Sequence, residues 1–345
     1  TIKNKNEFLE WIVSLRGSTS LVNSEIRPIP LEISLVTSSK NDKNIKIIKS
    51  SKDNKNRKIF KFDRQAKQFT KPKLNEQAAY LESRNLLPVI FFFFSRERVE
   101  SSSRQLANKM SVIENKNDIK DKYNEVFKDL TPEEINLLNL DEHMWMWSRG
   151  VGFHHAGLAP IVKEFVEYLF LNRYIKYLFA TETLALGINM PAKSIYIDRL
   201  HKYDGIKTRP LTQSEFLQLS GRAGRRGIDD KGFAFLSYDK SVNREWYSNL
   251  FTLKPNDLIS AFSVNYSSIL NLLNIYNEDE AVELLRKSFF AYQNMYKTDK
   301  LEKLFSAKYG VLNQLGFLNS DKGLVLTQTY RDNLIPAIYL FNKEK

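Results

Sequence analysis

Five short apolar runs recur between residues 88 and 238: PVIFFFFS (88–95), GVGFHH (150–155), YIKYLFA (174–180), SIYIDRL (194–200) and GFAFLSY (232–238). PVIFFFFS is a continuous apolar run, as a strand buried on both faces requires, and the other four are further strand candidates. Between them, apolar positions return at helical spacing. APIVKEFVEYLFLNR (159–173) carries Pro160 in its first turn, where the missing N–H costs nothing. TQSEFLQLSGRAGRR (212–226) opens on Thr212, with Glu215 placed to close a capping box. Strand and helix in alternation predict a parallel α/β sheet with right-handed crossovers, which binds ligands at the carboxyl ends of its strands.

Outside this block the pattern changes. EFLEWI (7–12) predicts a short helix, and the two prolines of RPIPLEISLV (27–36) force an extended connector running into a strand. Residues 40–58 place a lysine at every third position from Lys40 to Lys58, a period that suits neither a helix nor a strand face. That predicts a solvated loop or hairpin tip, with a phosphate-tracking arm as the lesser alternative. After about residue 240 helical periodicity dominates, in NDLISAF, YSSILNLLNIY and DEAVELLRKSFFAYQ. KLEKLFSAKYGVLNQLGFLNSDKGLVLT (300–327) predicts a helix and a two-stranded wing turning at Asp321–Gly323, hence a winged helix. Residues 328–345 would begin another helix.

Composition narrows the class. A chain of 345 residues suits two domains and a fragment of a third. A net charge of +12 favours a polyanionic partner, nucleic acid ahead of a membrane surface. A Lys- and Asn-heavy composition produces the same excess, so charge alone does not choose. The chain has no cysteine, which excludes disulfides and thiolate metal sites. This fits a reducing compartment: the cytoplasm is expected, or the nucleus in a eukaryote. The longest apolar run, VIFFFF (89–94), is too short for a membrane span. The chain starts with Thr1 rather than methionine, and is expected to be a piece of something longer.

The candidate chemistry centres on QLSGRAGRRGID (218–229). If the helix continues through it, Gln218, Arg222 and Arg225 stand at i, i+4 and i+7 on one face. Two guanidiniums and an amide suit a transferring γ-phosphate, with Gln218 orienting the attacking water. Taken alone, the stretch fits a nucleic-acid patch or a glycine-rich turn equally well. Its neighbours shift the balance. ATETLALGINMPA (180–192) puts Thr181 and Thr183 at a strand end, and Gly187 before Asn189 allows close backbone approach. GFHHAGLAP (152–160) runs from a strand end through a tight turn into a helix, and FFFFSRERVE (91–100) places Ser95 and Arg96 at the mouth of a strand. Counting the arginine stretch, four polar clusters are expected to converge on one edge of the sheet.

In order and spacing these motifs resemble the carboxyl-terminal half of a superfamily-2 helicase of the superkiller type, the DExH-box branch that includes the exosome-associated RNA helicases. FFFFSRERVE is similar to that family's fourth motif, GFHHAGL to the turn motif after it, ATETLALGINMPA to the fifth and QLSGRAGRRG to the sixth. RPIPLE resembles the linker between the two RecA-like domains, and SSILNLL, SFFAYQ and LGFL…LT its winged helix.

The resemblance implies the end of a first RecA-like domain and linker in 1–36, and a second RecA-like domain in 37–240. An α-rich winged-helix domain in 241–327 and the start of a helical domain in 328–345 would follow. It implies an ATP-dependent RNA helicase with 3′-to-5′ translocation. Gln218, Arg222 and Arg225 would act in catalysis, and Gly187 and Asn189 would face the nucleotide with the arginines. Ser95, Arg96, His155, Ala156, Gly157, Thr181, Glu182 and Thr183 would meet the nucleic acid. The partner would be single-stranded RNA or an RNA duplex with an overhang, and an RNA-degrading complex.

Neither GxxxxGK[ST] nor an acidic DExH motif occurs in its family position; GIKT (205–208) lacks the second glycine. ATP and Mg2+ are therefore expected to bind mainly to the first RecA-like domain, and the fragment alone is expected to hydrolyse no ATP. Adjacent His154 and His155 point to opposite faces of a strand, so no metal site is expected. Asp141 and Glu142 of LDEHM fall near a helix end and are read as surface charge. A non-catalytic nucleic-acid scaffold, or a DNA helicase of the same superfamily, are the alternatives.

Overall fold

The computed structural model describes residues 3–24, 27–39, 45–52, 58–60, 69–185, 190–204, 207–239, 242, 246–247, 257–294 and 298–318. They fall into two compact units, one within Ser24–Pro255 and the other within Ile2–Asn23 and Asn256–Lys345.

The first unit is built on one sheet. Its parallel strands are β1 (Leu31–Ser39), β5 (Val89–Phe92), β6 (Val151–His154), β7 (Tyr177–Ala180), β8 (Ser194–Ile197) and β11 (Gly232–Ser237). β2 (Ile45–Lys52), β3 (Lys58–Phe60) and β4 (Phe69–Thr70) extend it antiparallel on the β1 side. The order is β3-β2-β1-β11-β8-β5-β7-β6, with β4 on β1, and β9 (His201–Tyr203) and β10 (Thr208–Pro210) form a separate antiparallel pair. Each apolar run expected to be a strand contains one. Every residue of β5, β6, β7 and β8 is buried, which explains the unbroken runs: both faces are covered.

Alternation along the strands assigns the faces. Ile90 and Phe92 join one core with Phe165, Val166 and Leu169 of α7 (Pro160–Leu171) and with Phe216 and Leu219 of α8 (Gln213–Ser220). Val89 and Phe91 join the other with α2 (Leu74–Ser83) and α3 (Arg96–Ala107), through Leu81, Val99 and Leu106. Phe91 stacks on Phe179 of the neighbouring strand at 5.0 Å. The helices α4 (Lys116–Val126), α5 (Pro132–Leu137) and α6 (Leu140–Trp147) connect α3 to β6. Thr131 and Glu134 form the reciprocal cap of α5. Asp141 and Glu142 lie in the first turn of α6, and Glu142 pairs with Arg104.

The lysine-rich stretch departs from expectation, since part of it is a strand. β2 pairs with β1, matching Leu35 with Ile48 and Val36 with Ile47. The period of three in lysine conceals a shorter alternation. Ile45 and Ile47 face one core while exposed Lys46 lies between them, and Ile48 packs on the other core. Lys49 pairs with Glu32 across the ladder at 2.8 Å.

Buried His143, 3% exposed, lies beside Trp147 and Phe153, with ring centroids at 5.1 and 4.7 Å. Burial holds its pKa down to about 4, against the pull of Glu142 and Glu100. Below about pH 6.5 the unfolded chain takes a proton that the folded chain refuses. This contribution to stability is therefore full above pH 6.5 and falls as pH drops, by about 3 kcal/mol by pH 4. Urea midpoints measured between pH 4 and 7 should fall more steeply for the native protein than for His143→Phe. Equal slopes would refute the assignment.

The second unit is helical: α1 (Lys5–Arg16), α9 (Tyr266–Leu273), α10 (Glu278–Lys287), α11 (Phe289–Gln293) and α12 (Thr298–Gln314). α1 belongs here because Phe8 and Trp11 pack on Phe289 at 5.4 and 5.1 Å. Trp11 Nε1 also donates to the Lys287 carbonyl at 2.9 Å. The expected wing and the segment 328–345 lie outside the described residues. Among the described residues no helix is long and apolar enough to cross a membrane.

Candidate nucleotide and nucleic-acid sites

The parallel strands end together, bringing Phe92, His154, Ala180 and Ile197 to one row at the carboxyl edge of the sheet. The turns that follow carry three of the expected clusters. Ser95 caps α3, its Oγ accepting from the Arg98 N–H at 3.5 Å, and Arg96 is the first helical residue. Ala156 and Gly157 are exposed. A side chain at Gly157 would meet His155 Nδ1 at 3.1 Å and Arg96 Nη1 at 3.2 Å. Glycine therefore lets Arg96 and His155 close on the turn.

His155 is fixed in one tautomer. The Gly157 N–H donates to its Nδ1 at 3.1 Å, so the proton sits on Nε2, which faces Glu100 at 3.0 Å. Burial lowers its pKa, with Glu100 pulling the other way. His154 points to the opposite face, its Nε2 3.0 Å from Glu167 of α7. Among the described residues no group of three His, Asp or Glu could hold a metal ion.

Thr181 follows β7, and its N–H reaches the His154 carbonyl at 3.3 Å. Its hydroxyl lies 2.8 Å from that of Thr183. Glu182 is engaged otherwise: Lys202 Nζ donates to both its oxygens at 2.9 Å. The same lysine pairs with Glu215, which also accepts from both terminal nitrogens of Arg209 at 2.9 Å. Burial opposes the charge on Glu215, yet hydrogen bonds from Arg209, Lys202 and Thr212 hold its carboxyl well below the usual range. The capping box expected at Thr212 and Glu215 is thereby formed, and it anchors the start of α8.

The arginine stretch corrects two expectations. α8 ends at Ser220, so Gln218, Arg222 and Arg225 do not share a helical face. Past the helix the chain turns sideways to pair with Ala192, two residues before β8. The Ala192 N–H donates to the Arg222 carbonyl at 2.9 Å, and the Gly224 N–H to the Ala192 carbonyl at 2.7 Å. Gly224 adopts φ +87°, a conformation costly for any residue with a side chain. The turn also lies at the amino edge of the sheet, beside the first residues of β8 and β11. The four clusters do not all end at one edge: three stand at the carboxyl edge and the backbone of the arginine turn at the other, while the Arg222 side chain reaches back to Ala185, in the turn that holds Glu182 and Thr183. The reason is connectivity, since α8 runs antiparallel to the strands and delivers its end to their beginnings.

Gln218 is exposed in the last turn of α8. Arg222 Nη2 donates to the Ala185 carbonyl, and burial lowers its pKa. Arg225 is held by Asp229: its backbone N–H and Nε donate to Oδ2 at 2.9 and 2.7 Å, and Nη2 to Oδ1 at 2.7 Å. Burial of Asp229 works against its charge, but these bonds hold its pKa below the ordinary value. Gly187 and Asn189 lie outside the described residues. Residue patterns missed two members. Asp229 stands four positions after Arg225, a spacing that could have flagged it. Among the described residues, Arg27 bonds two backbone carbonyls far along the chain, Ser220 and Ala223, and nothing local signals that.

The mostly parallel sheet with helices on both faces fits a RecA-like α/β unit. No family model matches the chain. It is 32% identical over 310 residues to an uncharacterized helicase of Schizosaccharomyces pombe, covering 86% of this chain and 30% of the relative. It is 32% identical over 311 residues to the exosome RNA helicase MTR4 of Mus musculus, covering 85% and 30%. It is 32% identical over 329 residues to the DExH-box ATP-dependent RNA helicase DExH9 of Arabidopsis thaliana, covering 88% and 33%. The chain belongs to the superfamily-2 DExH-box helicases of the superkiller type. It spans about a third of the length of these relatives.

Proposed function

We propose that this chain is the second RecA-like half, with a following helical unit, of an ATP-dependent RNA helicase moving 3′ to 5′. The observation that carries the reading is the amino-edge turn, where Arg222 and Arg225 are set on backbone anchored to Ala192. ATP with Mg2+, held mainly by a first RecA-like domain, would supply the transferable γ-phosphoryl group. Arg222 would exchange the Ala185 carbonyl for the developing charge on the phosphoryl oxygens. Arg225 would approach from Asp229, and Gln218 would orient water. Gly187 and Asn189 would line the nucleotide side of the cleft.

The carboxyl edge would hold single-stranded RNA by its phosphates, through Arg96, the His155–Gly157 turn, Thr181 and Thr183, with Ser95 beside them. Glu182, committed to Lys202, would set the turn rather than meet a phosphate. The two edges would then separate the fuel site from the RNA track, and domain closure would act on both. Assembly with an RNA-degrading complex is part of the proposal, as the name of the MTR4 relative suggests.

RNA affinity should fall with salt, and Arg96→Ala should weaken binding equally across sequences. It should also shallow the slope of log affinity against log salt by about 0.7, the value for one single-strand phosphate contact. Fluorescence anisotropy in a salt series reads this directly. An unchanged slope would remove Arg96 from the track. The chain alone should hydrolyse no ATP, and RNA-stimulated hydrolysis by the purified fragment would contradict the division of labour.

A further inference from the structure

The arginine turn hangs on more than its own helix. Arg27 Nη2 donates to the Ser220 carbonyl at 3.0 Å and also to that of Ala223. These two acceptors bracket Arg222. One is at the end of α8, where carbonyls lack a helical partner four residues on and a cation is favoured; the Ser220 carbonyl also accepts from the Ala223 N–H at 3.1 Å. The residues after Arg27 meet the same turn. Ile29 Cγ2 lies 2.5 Å from where a side chain at Gly224 would begin. The Pro30 carbonyl accepts from the Gly232 N–H at 2.9 Å. A side chain at Gly232 would stand 2.6 Å from the Ala223 carbonyl group and 2.7 Å from Gly224 N. Three backbone segments thus touch through two glycines, and Arg27 ties them. The chain passes from one compact unit to the other between Asn23 and Ser24, so this tie sits where it enters the sheet unit.

We propose that Arg27 is the positioning residue of the arginine turn, setting where Arg222 and Arg225 stand by clamping the Ser220 and Ala223 carbonyls. The proposal rests on the nucleotide reading of that turn. One guanidinium nitrogen reaches both carbonyls with two hydrogens at a fixed angle, and the plane of the group sets the spacing between them. A lysine ammonium offers the charge without the fixed fork. A displacement of the turn by about 1 Å is enough to cost up to about 10²-fold in rate.

The test uses the intact protein. Arg27→Ala should lower kcat for RNA-stimulated ATP hydrolysis by about tenfold to 10²-fold. KM for ATP should stay within about twofold, because ground-state binding is untouched. Arg27→Lys should recover part of kcat. Hydrogen exchange should speed up at the amides of Arg222, Ala223 and Gly224 and stay unchanged in β5. Wild-type kcat in Arg27→Ala, with Arg222→Ala inactive, would overturn the role of Arg27 and leave the nucleotide reading standing. If Arg222→Ala were fully active, the nucleotide reading would fail. Exchange would then decide alone: faster exchange confined to the turn upholds the clamp, and unchanged exchange overturns it. Faster exchange throughout the sheet would reduce Arg27 to a general stabiliser and overturn the proposal.

Discussion

Replacing Arg222 with alanine in the intact protein should lower RNA-stimulated ATP turnover by about 10³-fold while ATP still binds. The size follows from what an arginine supplies to phosphoryl transfer. Charge spreads over the oxygens of the transferring group, and a planar guanidinium meets several of them at once. Arg222 is already partly desolvated at the foot of α8 and bonded to the Ala185 carbonyl. On the proposed reading it would meet the phosphate without first shedding a full water shell, and its field would act where water is excluded. Arg222→Lys should lose most of the same rate, because a point charge does not reproduce the fork. Binding of a fluorescent ATP analogue and steady-state turnover separate the two effects. A variant that kept more than about a tenth of the turnover would remove Arg222 from the transition state.

Asp229→Ala should destabilise the sheet unit by about 3 kcal/mol, because it leaves the Arg225 guanidinium without its carboxylate in a largely buried place. The Asp229 side chain is 4% exposed and that of Arg225 14%. Three hydrogen bonds join them, so neither charge was dehydrated without compensation. For a domain of this size that loss corresponds to a fall in Tm of about 10 °C. The double variant Arg225→Ala/Asp229→Ala should cost less than the sum of the singles, since no lone buried charge remains. Calorimetry on the single and double variants measures the coupling. A Tm within about 2 °C of the native value in Asp229→Ala would show that the pair holds nothing.

Much of the sheet was legible in the residue pattern. A parallel strand covered on both faces needs an unbroken apolar run, and few other local structures do, so the five runs mapped onto β5, β6, β7, β8 and β11. The cap at Thr212 was legible because a capping box is closed by residues three positions apart. β2 was not, because its lysines hid the isoleucine alternation, and because its partner β1 had to be in place to show which isoleucines face inward. The end of α8 was misread for a similar reason. Nothing in SGRAGRR forbids another helical turn; the bridge to Ala192 and the approach of Gly232 end the helix where it stops.

Residue type and short-range spacing determined the α/β class, the strand positions and the family motifs, because each depends on neighbours within a few residues. They also named Arg222 and Arg225. Folding alone decided that the arginines leave the helix, that the backbone of their turn stands at the amino edge, that Asp229 holds Arg225, and that Arg27 meets the Ser220 and Ala223 carbonyls. Those outcomes depend on backbone groups brought together from distant parts of the chain. Backbone carbonyls and N–H groups are the same in every residue, so no pattern of side chains announces which of them will meet.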